Sequence, residues 1–159
     1  MIVIDADPSR LALAQEFGAD HVLNMKELAT KEERVQAVKA LTKGRGADVC
    51  LEVAGVTVAF AEGIELVCSG GKLVTMGNVT PGKTVAIDPG YITRNQISIL
   101  PIMRYHPRYL NKSLQFLSDN IDTLPFHKMM DAEYSLDCVE KALSDSMERK
   151  VTRASIVME

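Results

Sequence analysis

The sequence has few of the residues that form metal sites and disulfide frameworks. Its 159 residues include only three cysteines and three histidines. The cysteines Cys50, Cys68 and Cys138 are separated by 18 and 70 positions, which fits neither a local zinc motif nor a paired framework. No His-x-x-x-His or Cys-x-x-Cys pair is present. We therefore predict buried free thiols and no metal site in this chain.

Excess positive charge and long apolar runs are also lacking. The formal net charge of -3 leaves no basic surface that would neutralise nucleic-acid phosphates. No apolar run approaches the roughly 20 residues that span a bilayer. The first residues, Met-Ile-Val-Ile-Asp, have neither the cationic nor the apolar region of a secretory signal. These features argue against nucleic-acid and membrane partners and predict a cytoplasmic protein.

What is present is an alternation of short apolar runs with amphipathic stretches. With 47% hydrophobic and 25% charged residues, the composition is that of a globular domain. Apolar runs alternating with helical patterns predict parallel strands joined by crossover helices, an α/β fold with a doubly wound sheet. The predicted strands are residues 2–4, 21–23, 49–53, 72–76, 97–102 and 154–158.

Helix boundaries follow from capping residues. Asp7-Pro8 predicts the start of a first helix that ends at Gly18, and Thr30-x-x-Glu33 is a capping box that opens a second helix. A third helix is predicted near residues 57–67, with Gly70-Gly71 as its stop. The segment containing Pro81, Gly82, Pro89 and Gly90 is predicted to be a loop, and further helices are predicted to begin at Pro107 and Ser135.

The ligand of a doubly wound sheet lies across the carboxyl ends of its strands, so Asp5 is the first candidate. An acid at the tip of the second strand of a dinucleotide fold accepts hydrogen bonds from both ribose hydroxyls and repels a 2′-phosphate. Asp5 therefore favours NAD over NADP as the cofactor. The alternative is that Asp5 only caps the next helix, but Asp7 already fills that position.

Two further segments follow strands and contain small residues. Val53, Ala54 and Gly55 follow the third strand, and Met76, Gly77 and Asn78 follow the fourth. Small side chains there would let a cofactor approach the backbone closely, although glycine at a strand end is also ordinary turn chemistry.

Three stretches in this order resemble the medium-chain, zinc-containing alcohol dehydrogenase family from its second cofactor-domain strand onward: VIDADPSRLALAQEFGADHVLN, GRGADVCLEVAG and GGKLVTMGN. The resemblance implies a sorbitol- or threonine-dehydrogenase-like enzyme that transfers hydride from an alcohol or polyol to NAD. It implies that Asp5 binds the ribose, that Arg10 lies beside the adenosine, and that Arg153 lies near the pyrophosphate. The implied lining of the nicotinamide side consists of Val53, Ala54, Gly55, Met76, Gly77 and Asn78.

Met103-Arg104-Tyr105 resembles the aromatic-Arg-Tyr element of the polyol branch, with methionine in place of the aromatic residue. The resemblance implies that Arg104 and Tyr105 lie beside the substrate. The alternative is that Arg104 is a surface charge that follows a strand.

The family's Gly-rich phosphate turn, Gly-His-Glu zinc segment and four-cysteine lobe do not occur in this sequence. Zinc in the family acts as a Lewis acid on the alcohol, so we expect the metal only in a missing N-terminal part and no activity from this chain alone. Residues 1–102 are predicted to be a partial NAD-binding domain and residues 103–159 a C-terminal segment of the catalytic domain. The order 3-2-1-4-5-6 would place the absent first strand at the centre of the sheet.

Other functions stay open at this point. One is a non-catalytic nucleotide-binding or interaction module, and another is a methyltransferase-like domain that binds S-adenosylmethionine. A zinc-free quinone reductase of the same superfamily is a third. Family resemblance further implies a homo-oligomer that pairs through residues 97–100.

Overall fold

The computed structural model describes residues 1–78 and 80–158. Strands and helices alternate along most of the chain. The strands are β1 (Ile2–Asp5), β2 (His21–Asn24), β3 (Ala47–Glu52), β4 (Val67–Thr75), β5 (Ser98–Pro101), β6 (Ala132–Ser135) and β7 (Ala154–Val157). The helices are α1 (Pro8–Glu16), α2 (Lys31–Leu41), α3 (Thr57–Leu66), α4 (Pro89–Arg94), α5 (Arg108–Asn120) and α6 (Val139–Met147), with short 3₁₀ helices at Phe126–Met129 and Leu136–Cys138.

The chain forms two compact units. Unit one consists of Met1–Asn24 and His106–Glu159, and unit two consists of Met25–Tyr105. Every strand pair in both units is parallel, as the alternating pattern predicted. No helix among the described residues is both long and apolar enough to cross a bilayer. The predicted domain boundary between residues 102 and 103 stays a prediction.

Unit one contains two parallel strand pairs. β1 pairs with β2, and α1 connects them after a cap in which the Asp7 carboxylate accepts the Ser9 amide at 2.9 Å. The predicted Asp7-Pro8 helix start is therefore confirmed. A second pair, β6 and β7, is joined through α6. Edge-to-face ring contacts of Phe126 with Phe17 and with Phe116 connect α5 to the end of α1.

Unit two is built on the three-stranded sheet β3-β4-β5. Its core consists of the buried residues Ile64, Val67, Leu73 and Ile97. The α2 helix begins at the predicted capping box, in which Thr30 and Glu33 each accept the other's backbone amide. Since β3 pairs with β4 alone among the described strands, the polar groups on its other edge form no ladder.

The predicted helix stop at Gly70-Gly71 is wrong. The third helix ends at Leu66, and β4 begins directly at Val67, whose backbone is extended. Gly70 has a φ of 77°, and the pairing jumps from Val67 opposite Ala47 to Lys72 opposite Val49. The two glycines therefore lie in a strand irregularity, where glycine supplies the conformation that a bulge requires.

The predicted loop near residues 81–90 is wrong at its end, because α4 begins at Pro89. Asp88 caps this helix by accepting the amides of Gly90 at 2.8 Å and Tyr91 at 3.2 Å. Helical structure begins after Ser135, as predicted, but no side-chain hydrogen bond of Ser135 caps it, and its first turn, Leu136–Cys138, is a 3₁₀ helix that leads into α6. Ser135 is instead the last residue of β6, a strand that the pattern did not predict.

Candidate functional site

The loops that follow β3 and β4 are joined through the side chain of Glu52, the last residue of β3. Its Oε1 accepts the Gly55 amide at 3.0 Å. Its Oε2 accepts the Thr75 hydroxyl at 2.9 Å and the Asn78 side-chain amide at 3.0 Å. Glu52 is only 4% exposed, so this carboxylate is a buried acceptor for three donors, one from the end of β4 and one from each of the two loops.

The pKa of Glu52 is lowered from its usual value of 4.5. Burial acts in the opposite direction, because desolvation raises the pKa of a carboxyl group. The hydrogen bonds from Gly55, Thr75 and Asn78 favour the charged form and outweigh the effect of burial. The group is therefore ionised at neutral pH and acts as an acceptor only.

The two loops also touch through their backbones. The Glu52 carbonyl oxygen accepts the amides of Met76 at 3.0 Å and Gly77 at 3.2 Å. A Cβ added to Gly77 would lie 2.4 Å from the Gly55 amide nitrogen, and one added to Gly55 would lie 3.0 Å from the Gly77 carbonyl oxygen. The contact therefore needs glycine on both sides. The structure brings together the two segments that the sequence nominated separately.

Asp5 lies at the carboxyl end of β1, in unit one. Its Oδ1 accepts the Asp7 backbone amide at 2.9 Å, and the residue is partly buried. This bond orients the carboxylate at the turn that leads into α1. Asp5 does not cap α1, because Asp7 does so, and the capping alternative for Asp5 is excluded.

Arg10 lines a cleft of about 190 Å³ between the start of α1 and the turn before β7. The residues on the far side of this cleft include Asp131 and the segment from Arg149 to Thr152. Asp131 accepts the backbone amides of Thr152 at 2.9 Å and Arg153 at 3.1 Å, and these bonds lower the pKa of Asp131. The backbone of Arg153 is thus fixed next to the cleft that Arg10 lines.

Arg104 and Tyr105 lie beyond β5, in unit two. The Thr75 carbonyl oxygen accepts the Ile102 amide at 2.9 Å, which keeps the chain after β5 beside the end of β4. Both residues are exposed, and Arg104 has a φ of 59°. The other non-glycine residues with positive φ each follow a helix end, but Arg104 does not. Its left-handed conformation is therefore not explained by a helix cap.

A family model described as zinc-binding dehydrogenase matches residues 1–119. The chain belongs to the zinc-binding dehydrogenase family. Among curated relatives, the sorbitol dehydrogenase of Bacillus subtilis is 32% identical over 151 residues, which are 94% of this chain and 40% of the relative. The 5-exo-hydroxycamphor dehydrogenase of Pseudomonas putida is 30% identical over 90% of this chain and 39% of its own length. The chain thus spans about 40% of the length of these relatives.

Solved structures agree with the family assignment. An alcohol dehydrogenase from Thermotoga maritima has a TM-score of 0.90 and 31% identity, covering 99% of this chain and 43% of that one. The benzyl alcohol dehydrogenase of Acinetobacter calcoaceticus has a TM-score of 0.83 at 25% identity, over 99% of this chain and 42% of that one. The predicted family resemblance and the predicted parallel α/β fold are both confirmed.

The residues of this zinc-binding dehydrogenase chain fit a dinucleotide better than a metal ion. Asp5 supplies a carboxylate at the end of the parallel strand β1, and Gly55 and Gly77 let the loops that follow β3 and β4 meet backbone to backbone. Across residues 1–78 and 80–158, no three His, Cys, Asp or Glu side chains are grouped to hold a metal ion. These residues therefore supply no ligand set through which zinc could act.

The sequence pointed to the loop residues Val53–Gly55 and Met76–Asn78 of this dehydrogenase chain. It did not point to Glu52, whose side chain joins the two loops. A signal was available, because Glu52 is an acid near the end of the apolar run Val49–Val53. An ionisable residue in a buried strand needs partners, and the nearest donors along the sheet are those at the end of the next strand and in the loop after it. Thr75 and Asn78 supply them.

Proposed function

We propose that this chain carries, in residues 1–102, part of the NAD-binding domain of an alcohol or polyol dehydrogenase and, in residues 103–159, a C-terminal segment of its catalytic domain. The observation that carries the proposal is the junction at the ends of β3 and β4, where Glu52 joins two glycine-containing loops. Ligands of doubly wound folds lie at the carboxyl ends of the parallel strands, and the junction lies there. Bound NAD supplies the hydride acceptor for alcohol oxidation.

The chain's own residues would divide the binding of NAD as follows. The Asp5 carboxylate accepts from the ribose hydroxyls and disfavours a 2′-phosphate. Arg10 and Arg153 place positive charge near the adenosine and the pyrophosphate. The segments Val53–Gly55 and Met76–Asn78 line the nicotinamide side, and the contact between Gly55 and Gly77 holds these two segments together.

The alcohol, the zinc ion and the oligomer belong to the proposal for the whole protein. The chain spans about 40% of its relatives' length, and its described residues hold no ligand set for a metal. We therefore expect no alcohol oxidation by the chain alone, with or without added zinc. A polyol substrate beside Arg104 and Tyr105, a homo-oligomer and a cytoplasmic location are parts of the same proposal.

Titration calorimetry of the purified chain with NADH, NADPH and S-adenosylmethionine tests the proposed cofactor. We expect NADH to bind more tightly than either of the other two. Asp5→Asn keeps the acceptor for the Asp7 amide but removes the charge, so the ratio of the NADPH to the NADH Kd should fall toward one. Asp137→Asn, an exposed acid at the start of a 3₁₀ helix, is the matched control and should leave the ratio unchanged. Tighter binding of S-adenosylmethionine than of NADH would favour the methyltransferase reading instead.

A further inference from the structure

The side-chain amide of Asn78 is held by two acceptors. Its Nδ2 donates to Glu52 Oε2 at 3.0 Å and lies 3.4 Å from the carbonyl oxygen of Val56. An amide nitrogen carries two hydrogens, so both are directed at protein acceptors. The remaining polar atom of the side chain, Oδ1, is an acceptor on an exposed residue.

The orientation of this amide follows from the charge of Glu52. An ionised carboxylate offers no proton, so it can face the nitrogen of Asn78 but not the oxygen. Gly55 and Thr75 occupy the other sites of the carboxylate and also donate to it. Glu52 therefore selects one of the two flipped states of the Asn78 amide, the one in which Oδ1 points away from the carboxylate.

The backbone that carries Asn78 is fixed as well. Gly77 immediately precedes it and lies against Gly55, where no added Cβ would fit. The Gly77 amide also donates to the Glu52 carbonyl oxygen at 3.2 Å. Asn78 Oδ1 is thus an oriented acceptor at the carboxyl end of β4, and an acceptor held in advance loses little conformational freedom when a donor binds.

We propose that Asn78 Oδ1 accepts a hydrogen bond from the carboxamide of the nicotinamide ring, and that Glu52 is the positioning residue that keeps this oxygen available. The inference rests on the proposed function, which places the nicotinamide beside this loop. The carboxamide NH₂ is the hydrogen-bond donor of that ring. The new proposal concerns the side chain of Asn78 alone. The glycine backbone of the same loop already belongs to the NAD-binding surface under the proposed function.

The test compares two cofactors that differ at the proposed contact. NADH carries the carboxamide donor, and reduced acetylpyridine adenine dinucleotide carries a methyl ketone without N–H groups. The Kd of each is measured for the chain by the fluorescence of the reduced ring. Loss of one neutral hydrogen bond corresponds to about a fivefold change in Kd. In Asn78→Leu the preference for NADH over the analogue should therefore fall about fivefold relative to the unaltered chain.

Glu52→Gln tests the positioning role with the same ratio. Glutamine presents an N–H group as well as an oxygen, so the Asn78 amide can flip, and the NADH preference should fall in this variant too. The double variant should show no further fall in the NADH preference, because both substitutions remove the same contact. Asn120→Leu, in α5, is the matched control and should keep the original ratio. Circular dichroism checks that each variant is folded. If Glu52→Gln unfolds, Asn78→Leu still tests the contact, because residue 78 is exposed.

Two results would overturn the inference in different ways. If the chain binds NADH but Asn78→Leu leaves the ratio unchanged, Asn78 does not contact the carboxamide and the proposed function stands. If the chain binds no NADH at all, the proposed function itself fails. A fall in the ratio for Asn78→Leu but not for Glu52→Gln would retain the contact and overturn the positioning role of Glu52.

Discussion

The Cα of Gly77 faces the amide nitrogen of Gly55 so closely that a Cβ at residue 77 would lie 2.4 Å from that nitrogen and 2.6 Å from Glu52 Oε1. Both neighbours are fixed, because the Gly55 nitrogen is part of the backbone and the Glu52 carboxylate accepts three hydrogen bonds. Gly77→Ala should therefore force the two loops apart and destabilise the chain by about 3 kcal/mol, at the upper end of the cost of overpacking. Urea unfolding followed by circular dichroism measures this change.

The control for this prediction is Gly44→Ala. Gly44 has a φ of 83°, but a Cβ there would meet no atom within 4 Å. The substitution should cost only the strain of a left-handed alanine, about 1 kcal/mol. Equal costs for Gly77→Ala and Gly44→Ala would mean that the loops separate freely, and the Gly55–Gly77 contact would then not hold the site together.

The stabilising effect of Glu52 should depend on pH. Its folded pKa is lowered below the usual 4.5, so the ionised form favours the folded chain. This contribution is fully present above the unfolded pKa and is lost as the pH falls through the folded pKa. At neutral pH, Glu52→Gln should cost about 2 kcal/mol, since hydrogen bonds to a charged acceptor are lost. The free energy of unfolding in urea, measured from pH 7 downward, gives both curves.

The difference between the two curves is the quantity that isolates Glu52. Other carboxyl groups with lowered pKa values, such as Asp131, titrate equally in both proteins and cancel. We expect the gap between the unaltered chain and Glu52→Gln to narrow as the pH falls below 4.5. A gap that stays constant or widens in acid would show that the charge of Glu52 does not stabilise the folded state.

Two of the helices that the sequence predicted, α1 and α2, begin at a local capping signal, whereas α3 lies where it was predicted although no side chain caps it. Asp7-Pro8 is such a signal, because the carboxylate accepts an amide of the first turn and proline fits the first helical position. Asp88-Pro89 is the same signal, and it begins α4 within the segment that was predicted to be a loop. Proline and glycine are frequent in loops, but proline after a capping aspartate fits the first helical position, and that local signal decides the structure here.

Features that depend on a neighbouring strand were harder to predict. Gly70 and Gly71 have the composition of a helix stop, but their role is set by the pairing of β4 with β3. A Cβ on Gly71 would lie 3.2 Å from the carbonyl oxygen of Ala47, which is 24 positions earlier in the sequence. Periodicity within one segment carries no information about such a contact.

The candidate site shows the same division. Asp5, Gly55 and Gly77 could be nominated from their places at strand ends. The hydrogen bond between Glu52 and Asn78 could not be predicted in this way, because it depends on the register in which Glu52 lies opposite Thr75. Register is a property of two strands, so the sequence of either strand alone does not determine it.

The Arg34–Glu62 pair should stabilise the contact between α2 and α3. The guanidinium donates to both carboxylate oxygens, at 2.7 and 2.6 Å, and the side chains are only 8% and 11% exposed. Arg34→Met would leave Glu62 buried without its partner, and should cost about 3 kcal/mol or more. Replacing both residues, Arg34→Met with Glu62→Leu, should recover most of that loss, as measured by a double-mutant cycle in urea.

A pair on the surface provides the comparison. Arg45 and Asp48 approach to 2.7 Å, but their side chains are 67% and 78% exposed. Water and salt screen such pairs, so Arg45→Met should change the free energy of unfolding by about 0.5 kcal/mol or less. If Arg34→Met proved as mild as Arg45→Met, the Arg34–Glu62 pair would not hold α2 to α3.

The three thiols should react at different rates because their burial differs. The predicted burial is confirmed for Cys68 and wrong for Cys138, which is exposed, while Cys50 is partly buried beside the core of unit two. Burial, with smaller contributions from Glu52 and Glu62, raises the pKa of Cys50 to about 11. Since the thiolate is the reactive form, Cys50 should be almost inert near pH 8 and should become reactive only as the pH approaches that value.

Labelling with a chromogenic disulfide at pH 8 measures this difference. One equivalent should react fast, and Cys138→Ser should abolish that phase without changing the slow one. In a denaturant all three thiols should react at similar rates, because unfolding removes the burial that raises the pKa of Cys50. A fast phase that survived in Cys138→Ser would require Cys50 or Cys68 to be accessible, and the packing of Cys50 against the β3–β4 core would then be looser than the structure has it.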